Sequence, residues 1–133
     1  MSSDATEING EATLRVVPYP QDTNPSGDIF GGWIMSHVDI AGSIEAFRRA
    51  KRRVGTVAVN AFAFHKPVFV GDVVSFYAKV DKVGTTSITV SVVVIAERSW
   101  KDAATMGQKI KVTEAVLTYV AIDENRRPQP VPK

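Results

Sequence analysis

The stretch Thr23 to Phe47, TNPSGDIFGGWIMSHVDIAGSIEAF, restricts what this chain can fold into more than any other. It begins as a Pro/Gly-rich loop and passes through Gly31-Gly32. Its apolar spacing then predicts one long helix that frays through the basic run after Phe47 and ends near Val54-Gly55. Between Asp28 and Glu45 the only charged residue is Asp39. A lone carboxylate on an apolar helix is costly to keep ionised in a packed interior. Asp39 therefore needs a partner, a cavity or a chemical task.

At about 100° per residue, Gly32, Ser36, Asp39 and Ser43 fall on one narrow stripe flanked by Met35, Gly42 and Ala46. Trp33, Ile40, Ile44 and Phe47 share a second face, and Ile34, Val38 and Ala41 a third. A helix apolar nearly all round is expected inside its fold. The small stripe leaves room beside Asp39 for a ligand or for a second backbone; close packing alone would also use such a stripe. The first N–H groups of a helix lack intrahelical partners and lie at the positive end of its dipole. Gly31 and Gly32 would leave them open to an oxyanion, or would simply make a tight loop-to-helix junction. From Gly31 to Asp39 a straight helix rises about 12 Å, too far for both to reach one small group. A ligand lying along the stripe could bridge them, as could a second copy of the helix running antiparallel.

Around this helix the period changes to two. Thr13 to Val17 reads as a short first strand stopped by Pro18 and Pro20. Thr56 to His65, Val73 to Val83, Ser87 to Glu97 and Lys109 to Ile122 read as four longer strands. Short turns at Gly71-Asp72 and Gly84 predict that these four are successive antiparallel neighbours. A single sheet is the only apolar partner available to the helix, so it must curve around it. The fold class expected is α+β, about five antiparallel strands wrapped on one central helix. Residues 1–10 are expected to be loose and residues 11–133 to form a single domain. The proline-rich tail RRPQPVPK is expected to lie extended over the surface.

Composition narrows the chemistry. Zero cysteines exclude disulfides and thiol catalysis. Two histidines without HxH, HxxxH or HExxH spacing argue against a bound metal. A net charge of +2 is only mildly basic. The densest basic cluster, Arg48, Arg49, Lys51, Arg52 and Arg53, reads as a solvated last helical turn complementing the dipole. Nothing in the sequence marks a nucleic-acid partner, a spanning helix or a secretory leader, and a cytoplasmic location is expected. His37 and His65 lie off the Asp39 stripe and read as satisfied structural histidines. Phe30, Trp33 and Met35 could line an acyl slot or belong to the core.

The run NPSGDIFGGWIMSHVDIAG at Asn24 to Gly42 resembles the acyl-CoA thioester hydrolases of the hotdog superfamily, of the YciA type. Similarity continues at Thr56 to Val74, at KVGTTS (Lys82 to Ser87), at TYVAID (Thr118 to Asp123) and at the closing PVP. The resemblance implies that Asp39 is the catalytic carboxylate, as general base or as nucleophile. It implies that Asn24 positions water or thioester, that Gly31 and Gly32 N–H groups polarise the carbonyl, and that Thr56 is a small hydroxyl residue beside the reacting centre. Lys82, Gly84, Thr85, Thr86 and Ser87 correspond to a turn near bound coenzyme A, which enters as part of the substrate and not as a resident cofactor. It implies a homodimer with composite sites, each taking Asp39 from one chain and the glycine N–H groups from the other, assembling further into a trimer of dimers. Rival readings are a non-catalytic acyl-CoA sensor, a dehydratase or hydratase of the same fold, which would use a histidine with a carboxylate, and a purely structural assembly protein.

Overall fold

The structure is a computed structural model that describes residues 10–133. The loose segment expected over residues 1–10 therefore lies, Gly10 apart, outside the described residues. Strand β1 (Leu14–Val16) and a 3-10 turn (Pro20–Asp22) precede helix α1 (Gly31–Ala50). Strands β2 (Val54–Phe64), β3 (Val73–Val83), β4 (Ser87–Glu97) and β5 (Lys109–Ala121) follow. All pairings are antiparallel, and α1 packs against β2, β3, β4 and β5. This is the helix-in-sheet hotdog arrangement.

The inner face of the sheet is set by alternation. On β4, Ile88, Val90, Val92 and Val94 are fully buried, and their β5 partners Tyr119, Leu117, Ala115 and Thr113 face the same side. Each fully buried Val or Ile contributes about 1.5–3 kcal/mol, so this period-two register fixes which side of the sheet meets the helix. From α1 the sheet receives Ile34, Val38, Ala41, Ala46 and Ala50.

Four expectations are corrected. The sheet order is β1-β3-β4-β5-β2, so β2 and β3 are not neighbours. β2 pairs with β5, and β1 takes the β3 edge through Leu14↔Phe76. The segment joining β2 to β3 is no hairpin turn. It is held to β5 by the His65 and Lys66 N–H groups on the Val112 carbonyl and to the loop before α1 by Ile29 N–H on the Val68 carbonyl. With Val68 fully buried, the segment crosses past the start of the helix to the far side of the sheet.

The helix also stops earlier than the basic run suggests. Lys51 adopts φ 55° and ψ 30°, a left-handed residue whose N–H returns to Phe47 O. Val54 and Gly55 already pair with Ala121 and Val120. Finally, α1 is covered on one side only: Met35, Ile40 and Phe47 stay exposed, as do Gly32 and Ser36. One sheet face can cover only one side of a rod about 10 Å across.

The basic run is not merely solvated. Arg49 Nη1 donates to the Pro132 carbonyl (2.7 Å), and Arg52 Nη1 to that of Pro130 (3.2 Å). Val131 is buried with its N–H on Thr85 O. The tail is thus strapped across the C-terminal end of α1 and the β3–β4 turn.

Candidate active site

Asp39 sits in the middle of α1, half-buried, and its carboxylate is held by two hydroxyls. Thr56 Oγ1 donates to Asp39 Oδ1 at 2.7 Å, and Tyr119 Oη donates to the same oxygen at 3.0 Å. The phenol is shared with the Asp39 main-chain carbonyl at 2.9 Å. Sheet register explains the convergence, because Thr56 and Tyr119 are directly opposed across β2 and β5. Opposed residues in an antiparallel pair project to one face, so both hydroxyls arrive together beneath the helix. Gly42 completes the fit. A methyl there would overlap Tyr119 Oη and lie 3.0 Å from its Cζ. Tyr119 is fully buried, and its phenol is pushed well above the usual tyrosine range. Burial is the main cause, followed by the Asp39 charge and then the hydrogen bond to it. The phenol therefore stays protonated as a donor. Asp39 Oδ2 meets no hydrogen-bond donor among the described residues.

The start of α1 carries a second set of unused groups. Phe30 is the N-cap and supplies no side-chain cap. Trp33 and Ile34 N–H bond back to Phe30 O, whereas Gly31 and Gly32 N–H meet no acceptor among the described residues. A Cβ at Gly31 would lie 3.0 Å from Phe64 Cζ, so the bare backbone lets the Phe64 ring lie close against the helix start; at Gly32 the space is open. Asn24 organises the loop in front. Its Oδ1 accepts from Ser26 N–H (2.9 Å) and Asp28 N–H (3.1 Å), and its own N–H donates to Asp28 O. That is an Asx-type turn, and it leaves the side-chain amide nitrogen to face other groups. Asn24, Gly31, Phe64 and His65 line one cleft of about 300 Å³.

Asp39, Thr56 and Tyr119 thus form one cluster, and Asn24 and Gly31 another. Because α1 is unbroken, about 12 Å of helix separates Gly31 from Asp39 within a protomer. Lys82, Gly84, Thr85, Thr86 and Ser87 lie at the opposite end of the helix. There Gly84 and Thr85 line a cleft of about 530 Å³ with Arg49 and the tail from Pro130 to Lys133. Gly84 N–H bonds to Ser87 O, closing the hairpin. Of the acyl-slot candidates, Phe30 and Met35 are exposed, while Trp33 packs on His37 and Phe76 against the core. His37 Nδ1 donates to Trp33 O at 2.7 Å, and His65 Nε2 lies 2.8 Å from Glu114 Oε2. Both histidines are satisfied away from Asp39, as expected.

Tyr119 and Gly42 are the residues that sequence reasoning missed as partners of Asp39. The signal was present in TYVAID and in the small stripe, but a strand tyrosine reads as core until its register against Thr56 is known.

Known proteins share this fold and much of this sequence. Residues 26–99 match the family model of the thioesterase superfamily. The chain is 47% identical over 123 residues to an acyl-CoA thioester hydrolase YciA of Salmonella typhimurium, covering 92% of this chain and 91% of that one. Among solved structures, it superimposes with a TM-score of 0.88 on a hexameric thioesterase from Yersinia pestis, at 47% identity, covering 95% of this chain and 99% of that chain. A hexameric hotdog-fold thioesterase of Campylobacter jejuni gives a TM-score of 0.87 at 44% identity, covering 92% and 91%. With the family model matched over more than half of the chain and close relatives matched over nearly all of it, the chain belongs to the YciA-type acyl-CoA thioester hydrolases of the hotdog thioesterase superfamily.

Proposed function

We propose that this protein hydrolyses acyl-CoA thioesters with Asp39 as its reacting carboxylate, in sites shared between two copies of the chain. The observation that carries the reading is the Asp39 carboxylate itself: one oxygen fixed by two neutral hydroxyls, the other without a donor among the described residues. A thiolate is a good leaving group, so the reaction needs an activated oxygen nucleophile and a donor for the developing oxyanion. Asp39 Oδ2 takes a proton from the water that attacks the carbonyl, or attacks the carbonyl itself to give a mixed anhydride that water then opens; in either course the C–S bond breaks and coenzyme A leaves as its thiolate. The oxyanion is met by N–H groups from the partner subunit's Gly31 or the partner subunit's Gly32, each such donor contributing about 3–4 kcal/mol to barrier lowering. Asn24 orients the reactants through its side-chain amide.

The dimer is supported by what one protomer leaves uncovered. β2 is an eleven-residue edge strand with Val57 and Val59 exposed, and long apolar edges seek a pairing strand. Pairing two β2 edges would extend the sheet and bring the open α1 faces, with Met35, Ile40 and Phe47, toward each other. Antiparallel helices would set the glycine end of one beside Asp39 of the other. The hexameric relatives support further assembly as a trimer of dimers. The Lys82–Ser87 turn, with Arg49 beside it, offers cations and backbone groups for the phosphates of coenzyme A.

The test is a thiol-release assay across short- to long-chain acyl-CoAs with the parent and Asp39→Asn proteins. Turnover by the parent and its near-complete loss in Asp39→Asn are expected. A parent that binds acyl-CoA without releasing thiol would instead mark a sensor. Single-turnover hydrolysis in isotopically labelled water, followed by mass spectrometry of Asp39, distinguishes nucleophile (label in the carboxylate) from base (label in the product alone).

A further inference from the structure

Tyr119 does more than fill the core. A buried phenol needs one acceptor to be satisfied, and the Asp39 main-chain carbonyl at 2.9 Å already supplies it. The same hydroxyl also reaches Asp39 Oδ1 at 3.0 Å, and it does so only because position 42 carries no side chain. Thr56, its cross-strand partner, places a second hydroxyl on that same oxygen at 2.7 Å. We propose that Tyr119 is a positioning residue for the hydrolysis, its phenol clamping Asp39 Oδ1 with Thr56 so that Oδ2 alone is presented to the reactants. The proposal rests on Asp39 being the reacting carboxylate.

The physical need is specific. Rotation of an aspartate about χ2 is broad and roughly two-fold, so an unclamped carboxylate would exchange its oxygens and tilt away from any one line of attack. Misplacing a reacting atom by about 1 Å can lower the rate on the order of 100-fold. Two donors on one oxygen remove that freedom from opposite strands of a rigid sheet. Both are neutral, so they orient the carboxylate without cancelling its charge as a lysine or arginine would. Gly42 belongs to the same device, since any side chain there would push the phenol off the carboxylate.

The experiment uses full-length Tyr119→Phe, Gly42→Ala, their double variant and Asp39→Asn, assayed with the acyl-CoA the parent turns over best. Tyr119→Phe keeps the ring and removes only the hydroxyl. Its kcat should fall about 10- to 100-fold with KM within about twofold of the parent, and its thermal midpoint and assembly state should be retained. Gly42→Ala should show the same kcat loss. In the Tyr119→Phe background it should cost less than about threefold more, because the severe overlap with Oη is gone and only the tighter ring contacts at Cζ and Cε1 remain, a coupling expected of contacting residues. Thr56→Val, which removes the second hydroxyl, should lower kcat in the same way, and Thr56→Ser, which restores it, should recover most of that loss. Parent-like kcat in Tyr119→Phe beside an inactive Asp39→Asn overturns the clamp alone. An active Asp39→Asn overturns the underlying reading instead. If Tyr119→Phe and Gly42→Ala lose activity only in proportion to lost folded protein, Tyr119 is structural and the proposal fails.

Discussion

Two aspartates, Asp72 buried and Asp39 half-buried, are held in place in different ways. Asp72, at the start of β3, is 1% exposed and receives Arg98 Nη1 at 2.6 Å and Phe69 N–H at 2.9 Å, both on Oδ2. The same guanidinium lies 4.7 Å from the Phe69 ring centroid, so arginine, aspartate and turn lock together. Asp39 has no cation within salt-bridge distance among the described residues, only two hydroxyls on one oxygen. A cation compensates the charge of a buried carboxylate, whereas neutral donors hold a carboxylate in place without cancelling its charge. The first arrangement closes a loop, and the second leaves the charge of Asp39 without a counter-ion among the described residues.

The two sites should therefore fail in opposite ways. Asp39→Asn keeps shape and hydrogen-bonding capacity but not basicity, so turnover should drop at least about 1000-fold while the urea midpoint stays near that of the parent. Asp72→Asn leaves the buried Arg98 charge uncompensated, which should cost about 3–5 kcal/mol of stability while turnover per folded molecule is unchanged. Equilibrium unfolding and steady-state kinetics on the same preparations check both. If Asp72→Asn lost kcat without losing stability, or Asp39→Asn unfolded, the distinction between them would break.

Much of this contrast is written in the chain, though unevenly. Asp39 stands out because charge is absent around it on α1, and Thr56 is marked by its place at the start of a strand. β3 and β4 begin and end where alternation and Gly84 put them, because period-two burial is a local signal. The order of the strands is not local. Whether β2 pairs with β3 or β5 depends on where a crossing segment is anchored, and the Val68 and Val112 carbonyls that anchor it have no sequence signature. Tyr119 was hidden for the same reason, since its task comes from a cross-strand register. The open face of α1 was misjudged because apolar residues left uncovered by the sheet look the same in sequence as residues of the core. Arg49 and Arg52 read as solvated because their partners, carbonyls of the tail, lie at the far end of the chain.

A smaller effect sharpens the comparison at alkaline pH. The folded chain holds the Tyr119 proton more tightly than an unfolded tyrosine, whose ordinary value is 10.0. Above about pH 10 the unfolded state therefore binds fewer protons than the native state, and stability declines as pH rises. This contribution is complete below pH 10 and is lost progressively above it, with a limiting slope of about 1.4 kcal/mol per pH unit. Tyr119→Phe should have a correspondingly flatter stability profile above about pH 10 in guanidinium titrations. Equal slopes in the two proteins would mean that the phenol is not held between the sheet and Asp39.

The smallest effect belongs to a third carboxylate, at the surface. Glu114 accepts from Lys111 Nζ at 2.9 Å and lies 2.8 Å from His65 Nε2. Its carboxyl is held below the usual glutamate range, chiefly by the Lys111 hydrogen bond and then by that of His65. Its contribution is therefore present above the ordinary glutamate value and fades as pH falls through the lowered one. With about half its side chain in solvent, Glu114 should behave as a screened surface pair. Glu114→Gln should cost about 0.5 kcal/mol or less at neutral pH. The difference should close in about 1 M salt, where the Debye length is about 3 Å, and again at acid pH, where the parent's own carboxyl is protonated. The Asp72→Asn penalty, protected by burial, should survive the same salt. Salt should thus rank the three carboxylates by what surrounds them: Glu114 should respond to bulk ions, Asp72 should ignore them, and Asp39, if it is the reacting carboxylate, should matter to the rate and hardly to the fold.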